Sequence, residues 1–177
     1  MSSINVEFNN IKIHTQYSIC EGAIKIDDLA NYCKKNKIKA IGLADTNNLC
    51  GALEFAEKIS KVGTQPIIGT QINFSSNNII GKVTLYATSE KGYKNLTKLS
   101  SLSYLKKKDT YEPCCDINDL IHNNEDLILL TGSYSNFFGK LFYANKEKHI
   151  KAIIEKLKVV LENRLYIEIQ RHGEPQE

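Results

Sequence analysis

Short apolar runs alternate with stretches of helical periodicity along nearly the whole chain, and that rhythm constrains the fold more than any other feature. Residues 10–14 read as a first strand, with Ile11 and Ile13 on one face. Ile26, Leu29, Ala30 and Cys33 then fall at i, i+3, i+4 and i+7, which predicts an amphipathic helix over 26–36. Residues 40–44 form a compact apolar strand. Ala52, Phe55, Ala56, Ile59 and Val62 mark a second helix, which Gly63 is placed to stop. Extended structure is expected over 66–69 and 72–74, and a strand over 83–87. Leu96, Leu99 and Leu102 mark a helix over 91–105, followed by a surface loop over 106–115. Asp116 is placed to cap a short helix running to Ile121. Residues 127–130 read as a buried strand before a Thr-Gly-Ser turn, and 137–143 as a short helix. Ile150, Ile153, Ile154, Leu157, Val160 and Leu161 make the cleanest helical stripe, and 165–169 a final strand.

Buried strands separated by amphipathic helices argue for a largely parallel sheet with helices outside, open or closed into a barrel. Such folds place ligands at the carboxyl ends of strands. The positions that matter most are therefore His14 and Thr15, 45–48, Gln71, 131–134 and 170–172. The 177 residues suffice for one domain with a real core. No apolar run approaches the roughly 18–20 residues of a membrane span, and the start lacks the basic and apolar regions of a secretory signal. A cytoplasmic protein is expected. The five cysteines, Cys20, Cys33, Cys50, Cys114 and Cys115, are odd in number and contain no C-x-x-C, so free thiols are expected. A net charge of +3 is too mild to argue for nucleic-acid binding by itself. The run Lys106-Lys107-Lys108 is read as an exposed loop.

Three stretches carry a family signal. The first is Ile13-His14-Thr15-Gln16-Tyr17-Ser18 followed by Glu21-Gly22-Ala23. The second is Ile41-Gly42-Leu43-Ala44-Asp45-Thr46-Asn47-Asn48-Leu49-Cys50-Gly51 with Glu54-Phe55 behind it. The third is Gly63-Thr64-Gln65-Pro66-Ile67-Ile68-Gly69. Fainter echoes follow at Gly92-Tyr93-Lys94-Asn95-Leu96, at Leu127-Ile128-Leu129-Leu130-Thr131-Gly132 and at Tyr166-Ile167-Glu168-Ile169-Gln170-Arg171-His172-Gly173. In this order the chain resembles the amino-terminal PHP (polymerase and histidinol phosphatase) domain of bacterial replicative, C-family DNA polymerase III alpha subunits. The resemblance implies a distorted (β/α)7 PHP-type barrel over 1–177, incomplete at its C-terminal end. The polymerase palm, fingers and thumb would follow residue 177.

The same resemblance speaks to the site. Active PHP domains resemble metal-dependent phosphoesterases, in which His, Asp and Glu at strand ends hold several divalent ions that clamp a phosphate and activate water. The family's opening His-x-His corresponds here to Lys12 and His14. Its Asp-His after the second strand corresponds to Asp45 and Thr46, its next acidic residue to Gln71, and its following histidine to Lys82. Only His14 and Asp45 keep ligand chemistry, so these positions are read as a vestigial metal site with no bound metal and no catalytic residue. Glu168 and His172 are candidate leftovers on a late strand. The blander readings are a hydrogen-bonded histidine for His14, a cap of the following turn for Asp45, turn geometry for Asn47 and Asn48, and solvated His122 and His149.

The expected function is a non-catalytic structural module of a replicase, docking the proofreading exonuclease subunit and other replicase subunits. The parent would be a DNA-directed DNA polymerase that uses Mg2+ and meets DNA, with no membrane contact. One alternative is an active metal-dependent 3′–5′ exonuclease or phosphoesterase. Another is an anion site in which Lys12 and Lys82 face the old pocket.

Overall fold

The computed structural model describes residues 8–106, 112–170 and 173. The lysines at 107 and 108 and the histidine at 172 fall outside them. In chain order the elements are α1 (Ile26–Asn36), β1 (Ala40–Thr46), α2 (Ala52–Lys61), β2 (Gln65–Ser76), β3 (Ile79–Ala87) and α3 (Glu90–Leu105). There follow β4 (Cys115–Asp116), α4 (Ile117–His122), β5 (Leu127–Leu130), α5 (Phe137–Tyr143), α6 (Glu147–Leu161) and β6 (Leu165–Tyr166).

Local chemistry explains the helix boundaries. In α1 the residues spaced at i, i+3, i+4 and i+7 are the buried ones, Asp27 and Asp28 sit in the first turn, and Lys34 and Lys35 in the last, as the helix dipole favours. Its end is a left-handed Lys37, whose amide returns to the carbonyls of Cys33 and Lys34. Gly63, at φ +80°, follows α2 in the position expected of a helix stop. Asp116 begins α4 with a full capping box, its side chain and that of Asp119 exchanging bonds with backbone amides.

The strands assemble in the order β1-β2-β3-β5-β6, with β4 pairing to the far end of β2. The sheet is mixed: β1, β2, β4, β5 and β6 share one direction, in keeping with the largely parallel expectation, and β3 runs against them. β1 with β2 and β5 with β6 are parallel, but β3 is antiparallel to both β2 and β5. The cause is local: β2 and β3 are joined by Asn77 and Asn78, both at positive φ, so the chain doubles back in a hairpin instead of crossing over through a helix. The expected loop after α3 runs into β4 at Cys115, and both Cys115 and the preceding Cys114 are buried. The last strand is shorter than expected, two residues instead of five.

Residues 10–14 do run beside β1, but as a single bridge, Ile13 to Leu43, and not as a full strand. The amide of Gly42 donates to Asn10, that of Ile13 to Gly42 and that of Ala44 to Ile13. A Cβ on Gly42 would lie 2.0 Å from the carbonyl oxygen of Ile11, so the close approach requires glycine.

Strand alternation sorts side chains to two faces. Ile72, Phe74, Val83, Leu85, Leu127 and Leu129 meet residues of α3 to α6 in the largest apolar cluster. Ile41 and Leu43 meet α1 and α2 in a second. The opposite, concave face has only a small cluster, Ala44, Tyr86 and Leu130 with Ile11, Ile67 and Ile128 against it. Polar residues take the rest of that face, and there the candidate site lies.

Candidate functional site

One row of paired residues crosses the sheet: Thr46 beside Gln71, Gln71 beside Thr84, Thr84 beside Leu130 and Leu130 beside Tyr166. It sits at the carboxyl ends of β1, β5 and β6, where parallel strands leave an opening. One step further along the hairpin, Asn73 pairs with Lys82. A cavity of about 960 Å³ opens over this row. Lys12, His14, Thr46, Gln71, Lys82 and Glu168 all line it, so positions far apart in sequence converge.

Asp45 does not join them. By alternation it points with Leu43 away from the cavity, and it is fully buried. Its carboxylate accepts from the Thr15 amide at 2.6 Å, the Thr15 hydroxyl at 2.7 Å and the Ser18 hydroxyl at 2.6 Å. It therefore caps the turn before it in space, made by residues 15–18, and not the turn that follows it in sequence. Asn48 and Asn47 take the following turn. Asn48 bonds the carbonyls of Thr46 and Tyr17, and Asn47, at φ +56°, accepts from the Asn73 amide.

Inside the cavity every candidate cation has a carboxylate. Lys12 meets Glu168 at 2.9 Å, with side chains only 18% and 12% exposed. Lys82 pairs with Glu21, whose other oxygen accepts from the Thr46 hydroxyl at 2.5 Å. Burial pushes the Glu21 carboxyl up, but the Lys82 and Thr46 hydrogen bonds and the Lys82 charge outweigh it, and the net direction is down. Gln71 donates to Thr84 at 3.1 Å. Lys140 donates to the Ile80 carbonyl. Lysines 12, 82 and 140 and glutamates 21, 112 and 168 all line the cavity, so cations and carboxylates are equal in number among the described lining residues. This balance removes the case for an anion site built on Lys12 and Lys82, because neither ammonium is left over for a phosphate.

His14 lies 3.4 Å from the Ser18 hydroxyl. Burial lowers its pKa below 6.5, aided by the charges of Lys12 and Lys82 and opposed by Glu21 and Asp45, so the ring is neutral at pH 7. His149 is not simply solvated: it is half-buried and meets the Ser76 hydroxyl at 2.7 Å. His122 is exposed and bonds the Asn118 carbonyl. None of the five cysteines is in a disulfide; Cys20 and Cys50 are exposed and the other three buried.

A multinuclear metal site needs several converging carboxylates and imidazoles. The residues here do not fit one. The cavity offers two ammonium groups, a hydroxyl and an amide at the positions in question, and the Asp45 carboxylate is taken up on the other face. Among the described residues no group of three or more His, Cys, Asp or Glu side chains is gathered for a metal.

Glu21, Asn73, Glu112 and Lys140 also line the cavity and were not singled out as site residues. A signal for part of this set existed. In Gln71-Ile72-Asn73-Phe74 and Lys82-Val83-Thr84-Leu85, polar residues alternate with apolar ones, which marks a strand with one wet face.

The PHP domain family model matches residues 10–172. The protein named DNA polymerase III subunit alpha in Rickettsia felis is 38% identical over 172 residues, covering 97% of this chain and 14% of that protein. The protein of the same name in Caulobacter vibrioides is 34% identical over 183 residues, covering 96% and 16%. The chain thus spans about a seventh of the length of these relatives. Among solved structures, one from Bifidobacterium adolescentis described as a metal-dependent phosphoesterase superposes with a TM-score of 0.54. It covers 94% of this chain and 89% of that one at 10% identity, a likeness of fold alone.

Proposed function

Since the chain belongs to the PHP domain family, we propose that it is the PHP module of a DNA polymerase III alpha subunit acting in DNA replication, working without metal as a structural and docking domain. The observation that carries the non-catalytic part is the cavity itself. A phosphoesterase needs an electrophilic centre and an activated water; here lysine ammonium groups bound to glutamates line the cavity at the ligand positions. The carry-over to replication rests on the relatives' shared name and on coverage of nearly this whole chain.

In this reading the parent polypeptide extends primers with Mg2+ at a site outside these residues, in the cytoplasm. Its proofreading exonuclease subunit and other replicase subunits dock partly on this domain. No helix among the described residues is long and apolar enough to cross a membrane.

The test has two arms. Purified protein incubated with Zn2+ and Mn2+ and desalted is expected to retain near zero metal and to release no nucleotide from DNA 3′ ends. Co-elution with the exonuclease subunit of the same organism is expected. Tight metal and nuclease activity, both lost in His14→Ala, would establish the metal-dependent phosphoesterase reading instead.

A further inference from the structure

We propose that the Lys12–Glu168 pair is a clasp that closes the open sheet on itself, an internal ammonium ion doing the cross-linking that metal ions do in metal-binding barrels. The inference rests on the metal-free reading of the cavity and deepens it.

The topology makes the case. Lys12 belongs to the segment that lies along β1, at one end of the strand order. Glu168 lies two residues beyond β6, at the other end. The pair joins residues 156 apart in sequence. No backbone ladder among the described residues links those two ends, so side chains must hold the sheet curled. Tyr86 assists from the concave face by donating to the Ile11 carbonyl at 2.8 Å. Glu168 is anchored on its own side by its amide, which donates to the Thr131 hydroxyl.

The chemistry explains why lysine suits the place. An ionised aspartate at a strand end can be held against another carboxylate only with a cation between them, and a histidine ligand needs the same ion to be tied to it through the metal site. Lysine brings the cation on its own side chain, so one residue replaces both ligand and ion. The partner depends on it. Glu168 Oε1 accepts from Lys12 and from the Gln170 amide, while Oε2 is buried without a hydrogen bond among the described residues. Without Lys12 the carboxylate would be a buried charge with little compensation, a severe penalty. The Lys82–Glu21 pair follows the same logic, tying the turn before α1 to β3. Its side chains are about a third exposed, so its contribution is smaller.

Equilibrium urea unfolding of the chain tests the clasp in Lys12→Met, Glu168→Gln and the double variant, each with and without EDTA. Lys12→Met is expected to lower the folding constant by about a hundredfold. The double variant should lose at least tenfold less than the product of the single losses. Single variants that fail to fold beside a folded double variant are the same result in stronger form. A double variant no more stable than the product of the singles overturns the clasp. A wild-type stability that falls on chelation overturns the metal-free reading separately, because the coupling is read in either condition.

Discussion

Asp45 shows how a residue can keep the chemistry of a ligand and lose the geometry of one. Its two oxygens take three short bonds from Thr15 and Ser18 in a fully buried place. Asp45→Ala strands those donors and is expected to destabilise the fold by about 3 kcal/mol, measured by urea unfolding; a change below 0.5 kcal/mol would show that the network is dispensable. His14 makes a second prediction at this scale. Its folded pKa lies below the ordinary 6.5, so on acidification the unfolded chain takes up the proton first. Its contribution is intact above about pH 6.5 and is lost as pH falls toward the lower folded value. Unfolding free energy from pH 7.5 to 5 should decline in wild type and flatten in His14→Gln. Glu21 shows the same sign lower down. Its contribution is intact above about 4.5 and lost as pH falls through the depressed folded value. A Glu21→Gln variant should therefore differ from wild type at pH 7 and converge on it near pH 3.

Among the elements, the segment 10–15 and β1 depend on one glycine. Gly42→Ala would drive a methyl into the Ile11 carbonyl and must push the segment outward. The expected cost is about 2 kcal/mol or more, as for overpacking in a tight contact. The His14 resonance in a proton NMR titration should shift toward a solvated pKa, since its burial goes with the segment. An unchanged His14 titration would mean that the segment is held from elsewhere. Helices were legible in the sequence because burial repeats at 3.6 residues and caps are local: α1, α2, α5 and the capping box of α4 stand where their residues place them. Strand direction was not legible. Asn77 and Asn78 turn the chain back, yet asparagines serve many loops, and only pairing across the sheet shows that β2 and β3 are a hairpin. β4 escaped notice because two residues carry no period.

At the scale of the whole molecule, β2 and β3 are shared by the packing on both sides, so the domain should unfold as one unit. Leu129→Ala, in the large cluster with α3 to α6, is expected to cost about 2–5 kcal/mol. Cys33, on the buried face of α1, belongs to the other cluster, with residues of β1 and α2. Its thiol should become reactive at the same lowered urea concentration as the loss of helix signal. Two separated transitions would divide the domain at the sheet. The sequence by itself determined the family, the helices, the wet and dry faces of the strands, and which candidate positions lack ligand chemistry, because each is written in local order or residue type. Only the tertiary structure decided that Asp45 turns away from the cavity and that Lys12 and Lys82 are neutralised by Glu168 and Glu21. Whether a charge is free or paired depends on which distant strand ends meet. That follows from the curl of the sheet, which brings together residues 156 apart in sequence.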